Sequence, residues 1–179
     1  MLLKHLPRVD DDGSKATCAR LLSSATGSYI ASIEVARHDF PRQYGALARI
    51  VVETLATTLA LVTNRTALED FHSGKLQSTK CVTWSKNTLP ILAPLWGELS
   101  NEFVHIRFGH FRIEIAKRYT KDDESLKFVA SSLLSIVLLF HIVTELVYSD
   151  EIFELKYWKR SGGGVVFDPA SEANEWTET

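Results

Sequence analysis

Arg49 and Glu53 stand four residues apart inside the apolar stretch YGALARIVVETLATTLALV, and Ser100, Asn101 and His105 close the segment WGELSNEFVH. Positions four apart share a face of a helix, so Arg49 lies beside Glu53 and Asn101 beside His105. If the two helices are neighbours, a guanidinium, a carboxylate, a hydroxyl, an amide and an imidazole meet at one level. Such a set can hold an anion and move a proton. Two readings stand open. One is a site for RNA or another anionic ligand, with His105, Arg49, Glu53 and Asn101 as catalytic candidates and Ser100 as a binding residue. The other, slightly ahead, is a satisfied polar cluster that fixes helix register.

The residues after Phe103 change rhythm. Val104, Ile106 and Phe108 alternate with His105 and Arg107, and Phe111, Ile113 and Ile115 alternate with Arg112 and Glu114. Gly109–His110 at the centre fits a two-residue turn with glycine first, so the pattern predicts a short β-hairpin over 104–115 in preference to a continuous helix. That register sets Arg107 opposite Arg112, which repel unless an anion or a carboxylate lies between them. Arg107, His110 and Arg112 are therefore further binding candidates. His72, Cys81, His105 and His110 match no zinc spacing, and neither a metal nor a cofactor is expected. The SGGGVV run follows an expected helix and reads as a C-cap linker, not a phosphate loop. His141 is expected to be a hydrogen-bonded core residue with Glu145, one turn on, as its partner.

The elements that must position these groups are mostly helical. A first helix is expected from Ser14 to Arg37, with the preceding acidic residues and Ser14 as caps. HDFPRQ breaks the chain, with Asp39 as the next cap and Pro41 in the first turn. The clearest helix spans Pro41 to Thr63, where Leu47, Ile50, Val51, Leu55, Thr58 and Leu59 keep helical spacing. TALEDFH reads as a short helix and SGKLQSTKCVTWSKN as a loop with at most one strand. A third long helix should start near NTLP and end near Phe103 or His105. A fourth spans Asp123 to Ser149, opened by KDDES, and a last one follows over 150–160, ended by Gly162. The predicted organisation is an N-terminal extension (1–13), a helical domain (14–161) and a flexible acidic tail (162–179). Val165 to Phe167, or Trp176, would pin that tail back.

Length and composition fit one domain with a sizeable core: 179 residues, 45% hydrophobic and 23% charged. A net charge of -2 disfavours general affinity for a phosphate backbone, so a nucleic-acid partner needs a local basic patch. Two widely spaced cysteines, Cys18 and Cys81, point to a reducing, cytoplasmic setting. The stretch Phe128 to Thr144 carries no formal charge yet is shorter than ~20 residues and holds three serines, so a fully buried central helix is favoured over a membrane span.

Two stretches carry a family resemblance. YGALARIVVETLATTLALV resembles the aRxxxEaxxxxxxL helix of uncharacterised bacterial families in the HEPN superfamily, and WGELSNEFVH resembles their YxxLSxxxH segment. The resemblance covers about 29–148. It implies a mainly α protein, an up-and-down four-helix bundle, that forms a homodimer with a polar site near the two-fold axis. Many members are metal-independent endoribonucleases of toxin–antitoxin or phage-defence systems that use an Arg-x(4–6)-His motif, with histidine and arginine acting on the 2′-hydroxyl and the scissile phosphate. This sequence departs from that motif: the three positions that could hold the arginine before His105 are Glu98, Leu99 and Ser100. The formal match elsewhere is Arg65–His72, an alternative catalytic pair that would share a face if helical, although Glu69 and Asp70 between them suit a phosphate poorly. The resemblance therefore implies either an RNA-directed protein, with RNA as partner, or a non-catalytic helical module that serves as an assembly, sensor or inhibitory subunit with a protein partner.

Overall fold

Helix α1 (Ser14–Arg37) starts where the acidic run ends, with Gly13 rather than a side chain at the cap position. It stops at a tight reversal in which Asp39 takes a left-handed conformation, φ 62°. Aspartate tolerates that region better than most residues. Asp39 therefore turns the chain instead of capping the next helix, and its carboxylate accepts from the Tyr119 backbone N–H at 3.4 Å. Phe40 holds the cap position of α2 (Pro41–Thr63), and proline begins the helix, where its missing N–H costs nothing. The structure is a computed structural model, and it describes residues 13–104, 119–120, 122–162 and 164–169.

α2 is the centre of the molecule. Tyr44, Ala48, Val51, Val52, Leu55, Ala56, Leu59 and Ala60 are all buried, so apolar residues surround its axis and do not keep to one stripe. Around it lie α1, the short α3 (Ala67–His72), α4 (Ser78–Ser85), α5 (Leu92–Leu99), a π-helical turn at Ser100–Val104, and α6 (Glu124–Val147). α5 and the π-turn run antiparallel to α2, since Trp96 meets Glu53 while Phe103 meets Tyr44 and Gly45. α1 runs antiparallel to α6: Lys15 reaches Asp150, and Tyr29 packs on Phe140 and donates to the Leu133 carbonyl.

Several expectations are met at the level of the element. α1, α2 and α3 lie where the pattern put them, and α6 opens with Asp123 accepting from the Ser125 N–H at 2.9 Å. Others are corrected. The expected loop after Gly74 contains α4, whose Cys81, Val82 and Ser85 turn inward onto α2. A weak amphipathic helix of eight residues forms because tertiary burial, not propensity, supports it. α5 begins at Leu92, later than expected, with Pro94 in its first turn. Val104 ends the π-turn and is not in a strand; the rest of the hairpin expected over 104–115 lies outside the described residues, as does Trp176.

The expected helix over 150–160 is replaced by a loop and a two-stranded antiparallel sheet, β1 (Trp158–Ser161) and β2 (Gly164–Phe167), pairing Trp158 with Phe167 and Ser161 with Gly164. Three contacts favour the sheet. Glu145, buried on α6, accepts from the backbone N–H groups of Tyr157 (2.9 Å) and Trp158 (3.2 Å). The Trp158 indole donates to the Ile142 carbonyl at 2.8 Å. Arg160, expected to sit at a helix end, donates instead to the carbonyls of Ser149, Ile152 and Phe153. Gly162, at φ +54°, follows β1 in a left-handed conformation rather than capping a helix. β2 returns Val165 and Phe167 to the core, while Val166 between them faces outward.

α6 is not the fully buried helix that its apolar sequence suggests. Ala130, Ser131, Leu134 and His141 are exposed, and the buried central helix is α2. Both α2 and α6 are long and apolar enough to cross a membrane by length and composition alone; protein covers 61% of the most apolar window of α2 and 33% of that of α6. His141 is thus a surface residue, and Glu145 serves β1 instead of it.

Candidate functional site

Helical spacing on α2 sets Arg49 beside Glu53, and the fold then brings two further elements onto the carboxylate. Arg49 donates through Nε to Glu53 Oε1 at 3.1 Å, with Nη2 at 3.0 Å from the same oxygen. The Trp96 indole N–H of α5 reaches Oε1 at 2.9 Å, and Ser78 Oγ at the start of α4 donates to Oε2 at 3.3 Å. The guanidinium carbon lies 5.1 Å from the centre of the Trp96 ring, within cation–π reach. Both charged side chains are about one-fifth exposed, 22% for Arg49 and 20% for Glu53.

Glu53 is therefore a hub that ties α2, α4 and α5 together. Its two oxygens receive hydrogen bonds from three residues, and the adjacent guanidinium cancels its charge. A carboxylate so engaged is poorly placed to take a proton from a substrate, and an arginine so neutralised offers little field to a phosphate. The arrangement can fix the rotation and height of α5 against α2.

Of the other expected participants, Ser100 is buried and donates to the Trp96 carbonyl at 2.7 Å, one turn back on its own helix. Asn101 lies on the exposed side of the π-turn. His105, Arg107, His110 and Arg112 lie outside the described residues. Arg65 and His72 are both exposed, but Arg65 precedes α3 and His72 ends it, so no single helical face carries the pair. A ring nitrogen of His72 lies 3.3 Å from Thr17 Oγ1 on α1.

No family model, curated protein or solved structure matches this chain. The likeness to HEPN families therefore rests on the two short stretches that carry it.

Two members of the cluster were not singled out from the sequence. Trp96 reads there as one more apolar residue of α5, yet its ring carries an N–H that needs an acceptor when partly buried, and Glu53 is the acceptor. Ser78 carries no signal, because it lies in a segment whose helix forms only by packing. Among the described residues no three His, Cys, Asp or Glu side chains gather as a metal site would require. The two cysteines are free and buried; burial pushes the Cys18 thiol up to about 11 and raises that of Cys81, so neither is a ready nucleophile.

Proposed function

We propose that this chain is a non-catalytic helical subunit that acts through assembly, with α1, α2, α5 and α6 arranged as an up-and-down bundle. The opposed directions of α1 and α6, and of α5 and α2, support the bundle. The observation that carries the functional reading is the state of Glu53: the residues best placed for chemistry spend their hydrogen bonds on holding three helices in register. Purified protein incubated with RNA in the absence of metal is expected to leave the RNA intact. Arg49→Ala and Glu53→Ala should instead lower the melting temperature. Metal-independent cleavage that disappears in Arg49→Ala would replace this reading with a catalytic one.

A second reading keeps one observation in its favour. Arg65 and His72 are exposed at the two ends of α3, where an RNA strand could reach both. A ribonuclease of the toxin or phage-defence type built on that pair would lose activity in His72→Ala and keep it in Arg49→Ala, the reverse of the pattern expected from the Glu53 cluster.

A further inference from the structure

α6 carries an apolar face that no other element among the described residues covers. Lys127, Ala130, Ser131, Leu134, Leu138 and His141 recur at spacings of three and four, so they share one side of the helix. Leu134 there is 67% exposed and Leu138 is half-buried.

The same chain supplies apolar residues for that face. Between Val104 and Tyr119, Ile106, Phe108, Phe111, Ile113 and Ile115 occupy alternate positions on either side of Gly109–His110, and His105, Arg107, Arg112 and Glu114 occupy the others. Two strands with one such face cannot bury it between themselves and need a further surface. The points where this stretch leaves and rejoins the described chain decide which surface is in reach. It leaves at the π-turn, where the Phe103 ring lies 5.5 Å from that of Phe128 in the first turns of α6. It rejoins at Tyr119, whose N–H donates to Asp39, and the next carbonyl, of Thr120, accepts from the N–H of Asp123, the cap of α6. Both ends therefore stand at the amino-terminal end of α6.

The lengths agree as well. From Val104 to His110 an extended chain covers about 20 Å, at ~3.3 Å per residue. From Phe128 to His141 the helix rises about 20 Å, at ~1.5 Å per residue. A hairpin turning at Gly109–His110 would span the open face and end level with His141. Tethered at both ends, it meets that face at an effective concentration that a separate molecule does not reach.

We propose that residues 105–115 lie along the open face of α6, with Phe108, Phe111 and the flanking isoleucines against Leu134 and Leu138, and with Arg107 and Arg112 outward. The inference is independent of the assembly reading, and it withdraws α6 from the surfaces open to a partner.

Thiol cross-linking of the full chain tests it. His110→Cys with His141→Cys leaves every apolar residue of the contact in place, and the native Cys18 and Cys81 are buried. A short bifunctional maleimide is expected to join the pair within one chain at least tenfold faster than it joins His110→Cys to Glu98→Cys. Glu98 is exposed on α5, six residues before Val104, where a freely swinging stretch would arrive as easily. Equal rates for the two pairs overturn the proposal. So does a covalent dimer, which a second copy on α6 would give, or no link at all, which a lipid or another protein on α6 would leave. A second variant needs no thiol: Leu138→Ser should speed amide hydrogen exchange across 106–115 at least tenfold relative to that of α2. Unchanged exchange there overturns the proposal too.

Discussion

Truncating Glu53 to alanine leaves Arg49, Trp96 and Ser78 without their common acceptor in a partly buried place. The expected cost is about 1–3 kcal/mol, or roughly 2–4 °C in melting temperature per kcal/mol for a chain of this size. Trp96→Phe keeps the ring but removes its N–H, and should cost about 1 kcal/mol. Urea denaturation of the two single variants and the double variant measures the coupling; a double variant no worse than Glu53→Ala shows that the indole acts through the carboxylate. Glu145 is a stronger case because it is buried and serves two backbone N–H groups. Glu145→Ala should cost about 2–3 kcal/mol and speed hydrogen exchange at Tyr157 and Trp158 before that of α2.

Titration behaves differently at the surface and in the core. Lys15 donates to Asp150, a bond that holds the Asp150 carboxyl below its ordinary range and raises the Lys15 ammonium. The carboxylate's share of stability is present above the ordinary aspartate value of ~3.9 and is lost as pH falls through the depressed one. The ammonium's share is present below ~10.4 and is lost as pH rises through the raised value. Both groups are solvated, so Asp150→Asn should cost less than ~1 kcal/mol at pH 7. In the core, burial pushes Tyr44 up to about 12 and Cys18 up to about 11, from ordinary values of 10.0 and 9.0. The unfolded chain releases these protons first, so stability should fall as pH climbs from about 9 toward 12. Tyr44→Phe, which also loses the bond to Ser132, should make that alkaline decline shallower in thermal melts taken between pH 8 and 11.

At the scale of the element, the contact between α2 and the π-turn is the most exacting. A Cβ on Gly45 would stand 2.1 Å from Cγ of Phe103 and 2.3 Å from its Cβ, atoms near the backbone that cannot swing away. Phe103 in turn packs edge-on to Tyr44, with ring centres 6.3 Å apart, and 5.5 Å from Phe128 of α6. The π-turn provides the extra residue that aims Phe103 into this gap. Gly45→Ala should cost about 1–3 kcal/mol, and adding Phe103→Ala should recover part of that loss, a positive coupling that unrelated cavities would not show. The same scale explains the uneven success of reading elements from pattern. α1, α2 and α6 have enough apolar repeats to declare themselves. α4 has three inward residues and declares itself only on the surface of α2.

For the whole molecule, α2 is the scaffold and its two flanks have different tasks. On one side α4 and α5 are locked through Glu53; on the other, α1 and α6 pack antiparallel and end in the clamped loop that displays Phe153. The polar cluster lies inside this arrangement, where its hydrogen bonds join α2, α4 and α5.

The sequence by itself determined the helices Ser14–Arg37, Pro41–Thr63 and Glu124–Val147, the break near Asp39, the cap at Asp123 and the pairing of Arg49 with Glu53, because each depends on residues within a turn or two of one another; it assigned the buried central place to the last of these helices, and packing gave it to α2. It placed Glu145 on α6 but not its partners, and it made a helix of 150–160, because Lys156, Lys159 and Arg160 suit a helix end as well as a hairpin and its loop. Only the tertiary structure decided between them. A buried carboxylate, an indole and a guanidinium drew backbone groups from distant positions into hydrogen bonds, and the geometry of such long-range contacts is not written in local spacing.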